Sequence, residues 1–290
     1  MPSRMKLYKP TSPGRRDGSV IEYKKKLTST KSNPLKSLTK GGKSTGGRNS
    51  QGRTTNLNRG GGNKRTYRQV DFRFDKKDIP AVIETVEYDP YRSGFIALVL
   101  YKDGERRYIL VPQTLGAGDE VITSATAKPK IGNRLPLGAI PVGTFIFNLE
   151  LKPGAGARIA RSAGNYAEVV AQDAGYTLVK LPSSEIRRII STAWASIGAV
   201  SNEEYRLVDL GKAGRNRHRG VRPKTRGAAK NAVDHPHGGG EGKAPRGHRR
   251  ARTKQGRPVG KGQKTRSPKK FSNKFIVSRR KPGRLMTSRK

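Results

Sequence analysis

The residues of this chain best suited to proton transfer or metal binding are its four histidines, His218, His235, His237 and His248. Three of them share a stretch with Asp234 and Glu241. A neutral imidazole exchanges protons near physiological pH, so His235 beside Asp234 is a candidate acid–base group. His235-x-His237 is a candidate pair of metal ligands, but no third ligand follows at a usual spacing.

Two further patterns point to chemistry and lack the elements to support it. Gly42-Lys43-Ser44 has the end of a phosphate-binding P-loop, yet Ser37 stands where that loop needs its first glycine, and no strand precedes it. Gly42-Lys-Ser44-Thr-Gly46, with Asp234 and His235 downstream, has the order of a serine hydrolase triad. A nucleophile elbow requires a strand-to-helix turn within a parallel sheet, and no such pattern surrounds Ser44. With no cysteine, thiol chemistry, disulfides and Cys-ligated metal are excluded. No apolar run reaches the ~18–20 residues that span a bilayer, and Met1–Pro10 has no signal-peptide core.

The elements that must position these residues follow the charge. The 290 residues carry 62 Lys+Arg against 21 Asp+Glu, a net +41, and only 32% are hydrophobic. Residues 1–70 hold 18 basic and 2 acidic side chains, residues 71–200 hold 16 and 14, and residues 201–290 hold 28 and 5. Two basic arms therefore flank a nearly neutral middle. A net charge of this size calls for a polyanionic partner.

Only the middle has the apolar patterning of a core. Strands are expected at Ala81–Tyr88, Phe95–Tyr101, Arg107–Val111 and Asp119–Thr123, the spacing of a small barrel. Asp103-Gly104 between two of them suggests a type I′ hairpin. A second set is expected at Val142–Leu149, Tyr166–Ala171, Tyr176–Leu181, Ile186–Ile190 and Trp194–Val200, with a hairpin at Gln172–Gly175. Trp194, the one tryptophan, reads as core. Lys128–Gly138, rich in Pro and Gly, reads as a linker between the two. The chain thus divides into a basic arm (1–70), a first barrel (71–128), a second barrel (129–200) and a basic Gly-rich extension (201–290).

Residues 33–69 and 211–270 have almost no apolar periodicity, so they are expected to stay extended or disordered until a partner orders them. Glycine allows the backbone close to a phosphate chain, and arginine offers a planar fork for phosphate oxygens. If about 10 charges meet phosphates, log K falls against log salt with a slope near −7 to −9. No helix-turn-helix, zinc finger or zipper is present, and barrels with long arms suit folded RNA better than duplex DNA. An architectural DNA-binding protein is the alternative, and an enzyme using His235 the third. In the RNA reading the histidines hydrogen-bond and stack on RNA.

Asn231-Ala-Val-Asp-His-Pro-His-Gly-Gly-Gly-Glu-Gly242 resembles the signature of the universal large-subunit ribosomal protein two family, in its bacterial form. Lys9-Pro-Thr-Ser-Pro-Gly-Arg-Arg16, Gly60-Gly-Gly-Asn-Lys-Arg65, Glu87-Tyr-Asp-Pro90, Ile96-Ala-Leu-Val-Leu-Tyr-Lys-Asp-Gly-Glu-Arg-Arg-Tyr-Ile-Leu110, Ala160-Arg-Ser-Ala-Gly164 and Lys274-Phe-Ile-Val277 agree in order, over roughly residues 9–281. The family often has Trp where His218 stands. The resemblance implies a mainly β fold: an OB-type barrel followed by a Src-homology-three-like barrel, with long extended basic arms. It implies a structural, non-enzymatic constituent of the large ribosomal subunit. Such a protein binds rRNA near the peptidyl-transferase region and supports subunit association and tRNA binding.

The charge pattern and the matched blocks together assign rRNA contact to two sets of residues. The first arm supplies Arg48, Arg53, Arg59, Lys64, Arg65 and Arg68. The extension supplies Lys212, Arg215, Arg217, His218, Arg219, Arg222, Lys224, Arg226, Asp234, His235, His237, Arg249, Arg250, Lys274, Arg279 and Arg280. The implied partners are large-subunit rRNA, other ribosomal proteins and small-subunit rRNA at a subunit bridge, with no membrane. No metal site and no cofactor is expected beyond Mg²⁺ that accompanies rRNA. Only nine residues precede the Pro10 block, which leaves no room for a transit peptide. A ribosome-bound protein of a bacterial cytoplasm, or one made inside an organelle, is expected.

Overall fold

The computed structural model describes residues 5–28, 33–242, 247–260 and 265–280. Eleven strands in two antiparallel sheets form the body. The first sheet holds β1 (Ala81–Glu87), β2 (Ile96–Tyr101), β3 (Arg106–Leu110) and β4 (Glu120–Val121), in the order β3-β2-β1-β4. The second holds β5 (Arg134–Pro136), β6 (Phe145–Phe147), β7 (Ala167–Asp173), β8 (Tyr176–Lys180), β9 (Ile186–Ile190), β10 (Trp194–Ile197) and β11 (Ile276–Ser278), in the order β11-β9-β8-β7-β6-β10-β5. Two short antiparallel pairs, Met5–Leu7 with Ser19–Ile21 and Thr39–Lys40 with Tyr67–Arg68, complete the strands among the described residues. The α-helices described are single short turns at Pro13–Arg16 and Ala213–His218.

The burial pattern explains the apolar runs. Strand β2 is buried on both faces, as central strands with continuous apolar sequence are. Ala97, Val99 and Tyr101 face the core of the first sheet. Ile96 and Leu98 face the other way, into a cluster with Tyr108, Leu110, Phe147 and Val200 that joins the two sheets. The second sheet closes over its own core of Leu135, Ile146, Val169, Val179, Ile189 and Ile197. A bulge between Ile83 and Thr85 shifts the alternation of β1. It brings Val86 back to the core and leaves Glu84 facing Arg106, whose Nε and Nη2 each donate to it at 2.8 Å.

Three expectations change. The Asp103-Gly104 hairpin forms, but only Gly104 has positive φ (+87°), and Gly104 N–H donates to Tyr101 O at 2.9 Å. The type I′ dihedrals belong to the other hairpin, where Ala174 (+43°) and Gly175 (+77°) are both positive and β7 runs on to Asp173. The Lys128–Gly138 stretch is not merely a linker. It contains β5, which pairs with β10, and its Arg134 is 2% exposed. Arg134 Nη2 meets Glu150 Oε1 at 2.9 Å, Nη1 donates to Asn148 O at 2.8 Å, and the guanidinium lies 4.2 Å from the Phe74 ring centroid. Burial pulls the Arg134 pKa down to about 10 against the opposing pull of Glu150. Trp194 is half-buried rather than central, with Lys77 Nζ 5.2 Å from its ring centroid.

The chain separates into two compact units. The first takes the described residues of 5–44, 63–215 and 274–280, and so contains both sheets. The second takes 45–62 and the described residues of 216–273. Within the extension expected over 201–290, residues 243–246, 261–264 and 281–290 lie outside the described residues. Among the described residues no helix is long and apolar enough to cross a membrane.

Candidate nucleic-acid interface

The second unit is where the charge collects. Its described residues hold 17 Lys+Arg, and the acidic ones among them are Asp234 and Glu241. Both arms build it. Residues 45–62 turn back on themselves, with Arg48 and Thr54 in an antiparallel bridge and the Asn49 side-chain oxygen accepting from the N–H groups of Gln51 (3.1 Å) and Arg53 (2.9 Å). The segment then crosses the second arm. Arg59 and Val221 form an antiparallel bridge, and Gly60 N–H donates to Gly220 O at 3.0 Å. Arg222 N–H donates to Asn58 O at 3.0 Å, and Asn58 Nδ2 to Pro223 O at 2.5 Å. A Cβ on Gly62 would stand 2.7 Å from Gly220 N, so only glycine allows this approach. Some arm glycines therefore serve contact with the protein's own backbone rather than with phosphate.

The histidines are held by backbone. The His235 ring lies against Gly227, where an added Cβ would come within 2.4 Å of it. His235 Nδ1 accepts from His237 N–H at 3.0 Å, and His237 Nε2 accepts from Arg252 N–H at 3.0 Å. Each ring thus has one nitrogen occupied as the acceptor of a backbone N–H. Ring centroids stand 4.8 Å apart for His235 and His237, and 6.1 Å apart for His237 and His248. The Asp234 carboxylate is exposed, and the bond that orients His235 comes from the His237 backbone instead. Among the described residues no group of three or more His, Cys, Asp or Glu is placed to hold a metal.

A recess of about 380 Å³ lies in the first unit, lined by Tyr67, Phe72, Tyr91, Arg92, Ser93, Arg161 and Ser162. The Asp89-Pro90 turn positions one wall. Buried Asp89 accepts from Tyr91 N–H at 2.8 Å and is ion-paired with Arg92. Arg92 lies 5.3 Å from the Phe72 centroid and 5.5 Å from that of Tyr67. Arg161 lies 4.6 Å from Phe72, and Arg65 lies 4.6 Å from Tyr91. Tyr67 and Tyr91 are 39% and 46% exposed, with Arg92 over the first ring, Arg65 over the second and the two rings edge-on at 5.5 Å. Guanidinium planes lying over aromatic rings can themselves stack on an unpaired base and hold its phosphate. Sequence reasoning named individual contact residues only on the arms, although the resemblance implied an RNA-binding first barrel, and it did not single out Tyr67, Tyr91, Arg92 or Arg161. The available signal was the pairing of aromatic with basic residues at Tyr67-Arg68 and Tyr91-Arg92.

Most of the residues expected to meet RNA stand open. Arg48, Arg53, Arg59, Lys64, Arg65, Lys212, His218, Arg219, Arg222, Lys224, Arg226, Asp234, Arg249, Arg250, Lys274, Arg279 and Arg280 are exposed. Arg215 and Arg217 are half-buried, like His235 and His237. Arg215 lies 4.9 Å from the Tyr8 ring centroid, and the protein itself holds it there. Arg68 departs from the expectation. It is 3% exposed, and its Nη1 donates to Thr66 O at 2.8 Å, so it braces the strand pair instead of facing a ligand. Arg279 is offset by Glu185 at 3.8 Å.

Residues 35–123 match the family model of the RNA binding N-terminal domain of Ribosomal Proteins L2, and residues 130–256 match that of the C-terminal domain. The chain belongs to the ribosomal protein L2 family. It is similar to the large ribosomal subunit protein uL2 of Granulibacter bethesdensis, 52% identical over 267 residues, which cover 92% of this chain and 95% of that protein. The large ribosomal subunit protein uL2 of Hyphomonas neptunium is 52% identical over 281 residues, covering 95% of this chain and 98% of the relative. The first sheet falls within the L2 N-terminal match and ten strands of the body within the two matches together. These sheets are the OB-type and Src-homology-three-like barrels of the L2 fold. Tyr67, Phe72, Tyr91 and Arg92 lie within the L2 RNA-binding domain, and Arg161 within the C-terminal one.

Proposed function

We propose that this L2 chain is a structural constituent of the large ribosomal subunit that binds rRNA and catalyses no reaction. The supporting observation is the division of charge, with 17 described basic residues gathered in a unit that has two described acids and little core. Duplex or folded RNA offers phosphates to such a surface, and the aromatic recess adds a place for an unstacked base. His235 contributes a ring held in place by the His237 backbone N–H, which its Nδ1 accepts, not a base for catalysis.

The finer reading is that the protein stabilises rRNA near the peptidyl-transferase region and supports subunit association and tRNA binding. It also includes a small-subunit rRNA contact at a bridge and other ribosomal proteins as neighbours. Mg²⁺ belongs to the rRNA in this reading, and the place of work is the ribosome in the cytoplasm.

The test is competition. Full-length protein should prefer large-subunit rRNA to duplex DNA at near-physiological salt, and it should travel with large subunits through a salt gradient. Comparable affinity for DNA, or sedimentation apart from subunits, overturns the proposal. In subunits assembled with His235→Ala, single-turnover peptide-bond formation should keep its normal rate.

A further inference from the structure

The two basic arms lie at opposite ends of the sequence, yet the structure ties them together at one place. Asn58 and Pro223, 165 positions apart, share a hydrogen bond. Around it stand the Arg59–Val221 bridge, the Gly60-to-Gly220 and Arg222-to-Asn58 bonds, and the contact of Gly62 with Gly220. Every one of these contacts is between backbones or from Asn58 to backbone, so none uses an arginine or lysine head group. The charges are left outward: Arg59, Arg219 and Arg222 are all exposed around the crossing. Asn58 itself has φ +60°, and Gly220 has φ +84°. The left-handed conformation at Asn58 is uncommon for a residue with a Cβ, whereas glycine enters it freely.

We propose that the arms bind RNA as one pre-joined site, with Asn58, Gly62 and Gly220 as its positioning residues. The ligand is the sugar–phosphate backbone of folded RNA, gripped from the two arms at once. The inference rests on the rRNA-binding reading above and adds the coupling of the arms to it. Two independent tails would each lose their own chain entropy on binding. Arms joined beforehand present the second set of charges at a high effective concentration once the first has bound. The crossing thus raises affinity without itself touching RNA.

The chain has no cysteine, so an engineered pair gives a unique disulfide. Residues paired in an antiparallel bridge stand at a separation that a disulfide spans. The full-length protein with Arg59→Cys and Val221→Cys should bind large-subunit rRNA equally well, or more tightly, when oxidised than when reduced. Gly62→Val, which keeps every charge, should weaken binding by about tenfold or more. Asn58→Gly, which keeps the backbone conformation and removes only the bond to Pro223, should weaken it in the same direction. Oxidation of the Cys pair in the Gly62→Val background should restore the affinity. That rescue separates a broken crossing from a misfolded protein. In the free wild-type protein the N–H groups of Gly60 and Arg222 should exchange slowly, and in Gly62→Val quickly. Affinity unchanged in both Gly62→Val and Asn58→Gly, or a loss of binding on oxidation, overturns the coupling. Wild-type protein that fails to bind rRNA overturns the underlying reading instead.

Discussion

The barrels and the arms of this chain are held together by different means. The barrels bury side chains: Ile96, Leu110, Ile146 and Phe147 are each 1% exposed or less. The arms bury backbone against backbone, as at Gly62 and Gly220, and leave most of their basic side chains outside. The barrels also neutralise their charges internally. Arg107 reaches Asp71 at 2.9 Å and Glu105 at 2.7 Å and is also paired with Asp75, while Lys76 is paired with Asp103 and Glu105. The exposed arginines and lysines of the arms greatly outnumber the carboxylates around them. A region that spends its charge on itself can fold without a polyanion, and a region that keeps it is shaped to receive one.

The largest effect should come from breaking the barrels at a buried charge. Arg134→Met leaves Glu150 buried without its partner and should destabilise the protein by about 3–5 kcal/mol in urea unfolding. Because Arg134 also lies over Phe74, both barrels should unfold in one transition at lower urea. Two separate transitions would show that the barrels fold independently.

Next comes the recess of the first unit. Tyr91→Ala should cost about 1–3 kcal/mol of rRNA binding, the worth of one stacked base. Tyr91 is 46% exposed, so the unfolding midpoint should stay in place. An unchanged rRNA affinity would remove the recess from the interface.

The arms should respond differently. Arg249→Ala with Arg250→Ala should make the salt dependence of rRNA binding shallower, by about 0.7–0.9 in slope for each phosphate that the protein ceases to neutralise. Protein stability should not move. A weaker affinity with an unchanged slope would mean that these arginines do not meet phosphate.

The smallest effect is acid lability of the barrel network. Hydrogen bonds from Arg107, Arg106 and Lys76 hold Asp75, Glu84 and Asp103 below their ordinary carboxylate values. A depressed carboxylate lends stability at pH above its unfolded value and loses it as pH falls through the folded one. Stability should therefore decline modestly below about pH 4, and Asp103→Asn should flatten that decline. These groups are mostly exposed, so the slope should be shallow and should shrink further in high salt. A flat unfolding midpoint across that range would show that the network contributes nothing.

Much of the body was legible because strands carry their period in the sequence. The runs at 81–88, 95–101, 107–111 and 186–190 lie close to the observed strands. Strand β5 was not legible. It has three residues within a Pro/Gly stretch, and Arg134 turns inward only because Glu150 awaits it from another part of the chain. The added strand β11 likewise has no repeat to mark it and is placed by pairing with β9. Of the interface, the exposed arginines could be read from composition. Buried Arg68 could not, since a basic residue in a basic stretch carries no sign of which way it points.

The sequence by itself determined the charge partition, the β character of the middle, the absence of thiol chemistry and the family. These depend on residue type and short-range spacing, which survive in one dimension. The tertiary structure alone decided that two distant arms meet, and that some of their glycines serve that meeting. It also placed the His235 and His237 rings on backbone and brought five aromatic and basic residues to one recess. The physical reason is shared. Backbone-to-backbone contacts and long-range pairs leave no periodic trace along the chain, because they join residues far apart in the sequence through groups that every residue carries.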